Sequence, residues 1–180
     1  WGDAAVAVQK VGSQIESISW MTAEGYAAAL NSFVAQNHGA KNTDRIREGY
    51  RLSMIVMLSW GVFCSLVLIV FPQLIFQVFI QEAEVLPMGV DYLRILGVSQ
   101  LFMCMEITTA GAFSGLGKTL PPSIVSITLT GARIPMAILL GRWLGLNGVW
   151  WAITISSIGK GIVLLGWFLK DMKRAGMPER

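Results

Sequence analysis

Residues 52–81 read LSMIVMLSWGVFCSLVLIVFPQLIFQVFIQ, thirty positions without an Asp, Glu, Lys or Arg. A hydrocarbon core about 30 Å thick takes about 20 consecutive, mostly apolar helical residues. This run is long enough to cross one and has no charged face to turn to water. Two further stretches, 95–105 and 143–159, are also free of charge. A soluble helical bundle would need a solvated face on such helices, so the chain reads as all-α and integral to a membrane.

Composition agrees. The chain has 180 residues, 54% hydrophobic and 14% charged, with mean hydropathy +0.59. Soluble domains carry about 25% charged residues. Its net charge of +3 sits largely in short connections between apolar runs, which points to membrane topology rather than to nucleic acid. Cys64 and Cys104 fall inside apolar runs and read as small buried hydrophobes, not a disulfide pair. The first residue is Trp1, and no basic stretch followed by an apolar one marks a signal peptide; the chain reads as a piece of a longer protein.

Outward from the 52–81 run, five spans are expected, at about 5–36, 52–80, 88–113, 121–140 and 149–169, with a charged, frayed tail at 170–180. The first is interrupted by Gln14, Glu16, Ser17, Ser19, Thr22, Glu24, Asn31 and Ser32. Such a helix must turn a polar stripe to other helices or to a water-filled cavity. Gly39 is the expected breaker at its end. Pro72 either ends the second span near Phe71 or kinks it. A connection over 81–87 carries Glu82 and Glu84. Pro121 and Pro122 open the fourth span, where a first-turn proline costs little, and 141–148 is expected as a turn.

Lys and Arg set the orientation. The connections over 36–52 and 117–120, with the tail, hold nine (Lys41, Arg45, Arg47, Arg51, Lys118, Lys170, Lys173, Arg174 and Arg180), whereas the opposite connections hold three (Lys10, Arg94 and Arg142). This bias puts the C-terminus in the cytoplasm and, after five spans, Trp1 on the outer face.

Soluble chemistry finds little support. Gly117-Lys118-Thr119 ends like a phosphate-binding loop, but the glycine required five residues earlier is Ala112. His38 is the only histidine, so no histidine-based metal cluster or catalytic dyad exists. No enzyme and no cofactor is expected. The informative residues are the charges inside spans. Glu106 sits near the middle of the third span, where an unpaired charge costs at least ~2.5–3.5 kcal/mol. An acid there could bind a proton, give an oxygen to sodium, or simply hydrogen-bond to a neighbouring helix. Glu16 and Glu24, about 80° apart on a helix, share one broad face of the first span and are, with Glu106, candidates for a proton or cation site. Arg133, roughly 12 Å from the outer end of its span, either snorkels or pairs with a glutamate, and Lys160 reads the same way. Gly111 and Gly115 form a small-xxx-small element suited to close helix packing in lipid.

Four blocks in order carry a family resemblance: AQNHGA at 35–40, GAFSGLGKT with the following Pro121-Pro122 at 111–122, RIPMA at 133–137, and LNGVWWA at 146–152. The chain resembles the multidrug and toxic compound extrusion (MATE) family, departing from its usual pattern at Ala35 and Lys118. The resemblance implies helices eight to twelve of a twelve-helix, two-lobe transporter in the cell membrane. An N-terminal lobe and a seventh helix would complete it. It implies antiport, with drugs or small organic cations leaving as Na+ or H+ enters. It also implies acids on the seventh and tenth helices, Glu106 falling on the tenth. Gln36 and Asn37 lie in the signature at the inner end of the eighth helix and, with Glu24, are candidates to line the cavity. A lipid-linked oligosaccharide flippase of the same superfamily and a membrane domain without transport are the alternatives.

Overall fold

A computed structural model of the chain describes residues 2–79 and 85–174. Among these residues every regular element is helical: α1 (Gly2–Gly39), α2 (Thr43–Val70), α3 (Pro72–Phe79), α4 (Leu86–Gly97), α5 (Gln100–Gly115), α6 (Leu120–Leu144) and α7 (Leu146–Arg174). Three of them, α2, α6 and α7, are long and apolar enough to cross a membrane, or four spans result if α4 and α5 count as one. Five spans are therefore not evident from length and apolarity alone. The 38-residue α1 has the length but too many polar residues, and α3 is too short to cross alone.

Several boundaries differ from the sequence expectation, each for a local reason. The second helix begins at Thr43, not near 52, because the Asn42 side chain caps it by accepting from the Arg45 amide and Asp44 lies in its first turn. The charged segment 43–51 is thus the water-facing start of a helix, not a loop. Helix α1 does end at Gly39, but the left-handed residue of the following turn is Lys41, with φ 55°. Helix α2 breaks at Phe71 and Pro72 opens α3, placing proline where no amide is needed.

The third expected span is two helices. Helices α4 and α5 meet at a 46° bend. Side-chain hydroxyls take up carbonyls at the break: Ser99 donates to Leu96 O at 2.8 Å and Ser65 donates to Gly97 O at 2.7 Å. The turn expected over 141–148 shrinks to Gly145, with φ 62°, because α6 runs on to Leu144 and α7 starts at Leu146. Lys170 to Arg174 continue α7 instead of fraying. Ile80, Glu82, Glu84, Trp1 and residues 175–180 lie outside the described residues.

Helix α5 is the hub, packed against α1, α2 and α7, while α6 packs chiefly on α7. Two large apolar clusters fill the bundle, with a smaller one of Ala23, Met57 and Cys104 beside them. Leu30, Val34, Ile46, Tyr50, Phe113, Leu164 and Phe168 pack towards the end that holds the Gly39–Thr43 turn; Val8, Ile15, Leu68, Phe76, Tyr92, Leu93 and Trp150 pack towards the other. Phe113 meets Phe168 edge to face at 4.9 Å, and Tyr92 meets Trp150 likewise at 5.2 Å. Lys118 donates to Asp171 Oδ2 at 2.6 Å, tying the α5–α6 turn to α7. Outside, large apolar side chains stand exposed along α2 and α6, among them Leu52, Val56, Phe63, Leu66, Ile127, Ile134 and Leu139. Water would not tolerate so much apolar surface on a lone domain, whereas lipid would.

Candidate functional site

Small residues face each other along the contact between α1 and α5. A Cβ on Gly111 would stand 2.6 Å from Ala27 O, and one on Gly115 would stand 2.6 Å from Asn31 O and 2.7 Å from Val34 Cβ. The two glycines therefore let the α5 backbone lie directly on that of α1. Gly161 does the same for α7, where a Cβ would stand 2.6 Å from Phe102 O. Where lipid supplies no hydrophobic drive between helices, such close approach gains dispersion contacts instead.

On its other side α5 carries Glu106. Its carboxylate Oε1 lies 3.8 Å from Lys160 Nζ on α7, the two side chains being 20% and 11% exposed. Arg133 on α6 also acts on Glu106 electrostatically, and its Nε donates to Ser156 Oγ at 2.9 Å. Ser156 in turn donates to Ile153 O at 2.8 Å. Three helices thus meet through one acid, two bases and one hydroxyl, all inside apolar segments. Neither base merely snorkels: Lys160 faces Glu106, and Arg133 is held by α7. The carboxylate is consequently not a vacant cation ligand, since an ammonium already stands in front of it.

The other expected residues are scattered. Glu16 has one carboxylate oxygen, Oε1, fully buried without a hydrogen-bond partner. Glu24 and Gln36 are exposed on α1, away from the helix packing. Asn37 spends its amide within α1, donating to Phe33 O at 2.8 Å. The signature around Gln36 and Asn37 thus shapes the end of α1 and the turn after it, where Asn42 N donates to Asn37 O at 2.9 Å.

Two polar contributions were not foreseen from the sequence. Tyr50 and Thr109 share a buried hydrogen bond of 2.9 Å between α2 and α5. Gln100 is 1% exposed, and its Oε1 has no partner. Gln100 lies in a charge-free run, so hydropathy alone gave it no special standing. Among the described residues no group of three or more His, Cys, Asp or Glu is placed to hold a metal ion, and both cysteines are free thiols.

Comparison with known proteins decides the family. The MatE family model matches residues 1–139. The chain belongs to the MatE family. The probable multidrug resistance protein NorM of Thermotoga maritima is 30% identical over 97% of this chain and 39% of its own length. The human multidrug and toxin extrusion protein 1 is 22% identical over 94% of the chain and 30% of its own length. A solved structure, the crystal structure of MATE in the straight conformation, superposes with TM-score 0.90 at 21% identity, covering 98% of this chain and 40% of that one. The chain thus has the fold of that part of a MatE protein, and it spans about two-fifths or less of the length of these relatives.

Proposed function

We propose that the chain supplies helices eight to twelve of a two-lobe multidrug efflux transporter of the cell membrane, driven by Na+ or H+. Five spans then correspond to α1, α2 with α3, α4 with α5, α6, and α7. The polarity of α1 suits a helix sheltered by a second lobe, and the Lys and Arg bias sets the end holding the Gly39–Thr43 turn in the cytoplasm. Glu24 and Gln36, exposed on α1, are free to line a cavity shared with the missing helices, and a carboxylate there would favour organic cations.

The observation that carries this reading is the ionisable cluster of Glu106, Lys160 and Arg133 inside the α5–α6–α7 interface. Ionisable side chains at membrane depth are expensive, and they mark ion or substrate pathways. A proton or Na+ arriving at Glu106 must displace the Lys160 ammonium, so cation binding there would loosen α5 from α7. A drug that favours the opposite state is thereby coupled to the cation. The relatives' names, multidrug resistance protein and multidrug and toxin extrusion protein, point the same way and away from a flippase or a non-transporting domain.

The test is accumulation of a fluorescent organic cation in cells lacking their own efflux pumps. Cells expressing the intact protein should hold several-fold less dye than cells with empty vector. Replacing Glu106 by Gln should bring accumulation back towards the vector level. Equal accumulation in wild-type and vector cells, with the protein present in the membrane, would refute transport.

A further inference from the structure

Glu16 and Gln100 end in buried oxygens that nothing in the bundle satisfies. Their positions match. Glu16 precedes Ala27 by eleven residues on α1, and Gln100 precedes Gly111 by eleven on α5, while Ala27 and Gly111 touch. The two helices run in the same direction, since Asn31 and Gly115, one turn further along each, also touch. Eleven residues are about three helical turns, leaving each residue about 20° from its contact stripe. Glu16 and Gln100 therefore stand at one level on facing stripes.

Contacts on either side bracket that level. Towards Gly39, the Ser19 hydroxyl of α1 reaches the thiols of Cys104 on α5 and Cys64 on α2 in weak interactions, and Ala23 packs in one cluster with Cys104. Ser19 Oγ makes no well-formed hydrogen bond. Towards the other end, the Tyr92 ring of α4 covers Gly12, leaving no room for a Cβ. Helix α1 thus touches α5 on one side of this level and α4 on the other, which keeps Glu16 and Gln100 within one packed layer.

A buried acceptor without a donor costs about 1–3 kcal/mol, more when charged. A proton on one of the two acceptors satisfies both, because the new O–H donates to the other oxygen. We propose that Glu16 carries an exchangeable proton and donates it to Gln100 Oε1 across the α1–α5 interface. One proton from water converts the carboxylate to a carboxyl group, whose O–H satisfies the amide oxygen; on release the proton returns to water. Resting on the proposed transport function, this favours H+ as the coupling ion and adds α1 to the helices that carry it, beside Glu106 on α5. The titratable groups facing Glu16 are Tyr92 from α4 and, one turn inward, Cys104 from α5 and Cys64 from α2. All three are neutral near neutral pH, so none supplies a counter-charge to an ionised Glu16. Hard metal cations gather about six oxygens, and this layer offers the carboxylate, the Gln100 amide oxygen and the Ser19 hydroxyl.

Infrared spectroscopy of the intact protein in lipid nanodiscs reads the proton directly. At neutral pH a protonated-carboxyl C=O band should be present, shift in D2O and vanish in Glu16→Gln. That substitution gives Gln100 an amide donor, so the bundle should keep its thermal midpoint. Gln100→Leu removes the acceptor and should move the band to higher frequency without abolishing it. The inference fails if the band is absent, if it survives Glu16→Gln, if it vanishes in Glu106→Gln instead, or if Na+ at constant pH abolishes it. Absence of dye efflux by the wild type, with the band present, would strike the transport reading and leave the Glu16 proton standing.

Discussion

Replacing Lys160 by Met should lower the stability of the bundle by up to about 3–5 kcal/mol, the upper end being the cost of stranding one partner of a buried ion pair. Lys160 is 9% exposed, and its partner Glu106, now 3.8 Å from the ammonium, would face an apolar side chain instead. Arg133 would still act on Glu106, so the loss should fall short of that of a fully isolated charge. Changing both residues, Glu106→Gln with Lys160→Met, removes the charges together and should restore most of the stability. Thermal melting of the four proteins in one detergent closes the double-mutant cycle. A coupling near zero would mean that the pair does not hold α5 to α7.

The second large effect is steric. Gly111→Leu should cost at least about 1–3 kcal/mol. The added Cβ meets Ala27 O at 2.6 Å, and a helix carbonyl cannot turn aside as a side chain can. Gly115→Leu should behave likewise against Asn31 O and Val34. With both changed, α1 should lose its seat on α5. Gly131 on α6 is the control: a Cβ there meets nothing within 4 Å, so Gly131→Ala should be neutral or stabilising by up to about 1 kcal/mol through helix propensity. Thermal midpoints of the variants decide it. Equal midpoints for Gly111→Leu and Gly131→Ala would contradict the close α1–α5 contact.

How much of this was legible in the sequence depended on whether the signal was local. The charge-free run over 52–81 marks a membrane helix in any context, and Pro121-Pro122 marks a helix start, so α2 and α6 were foreseeable. The bend between α4 and α5 was not. Its break at Val98 and Ser99 carries no proline, and it is tolerated because Ser65, on another helix, bonds Gly97 O. Asn42 capping α2 was a local signal overshadowed by the charged residues after it. The glycines at 111 and 115 announced close packing but not that α1 was their partner.

The site divides in the same way. Glu106 stood out because a charge in an apolar run is conspicuous, and pairing with an acid was one open reading of Arg133 and Lys160. The choice of Lys160 as the direct partner required knowing which face of α7 meets α5. Gln100 could not be singled out at all: a neutral amide barely alters hydropathy, and it gains meaning only when α1 sets the buried oxygen of Glu16 at its level.

Transport by the intact protein in sealed vesicles, under an imposed gradient of H+ or of Na+, tests the central claim most directly. Loaded organic cation should leave against its own gradient when H+ is imposed in the opposite direction, and the 180-residue chain reconstituted alone should move none. Dye movement unaffected by either cation gradient, or driven efflux by the chain alone, would contradict the account.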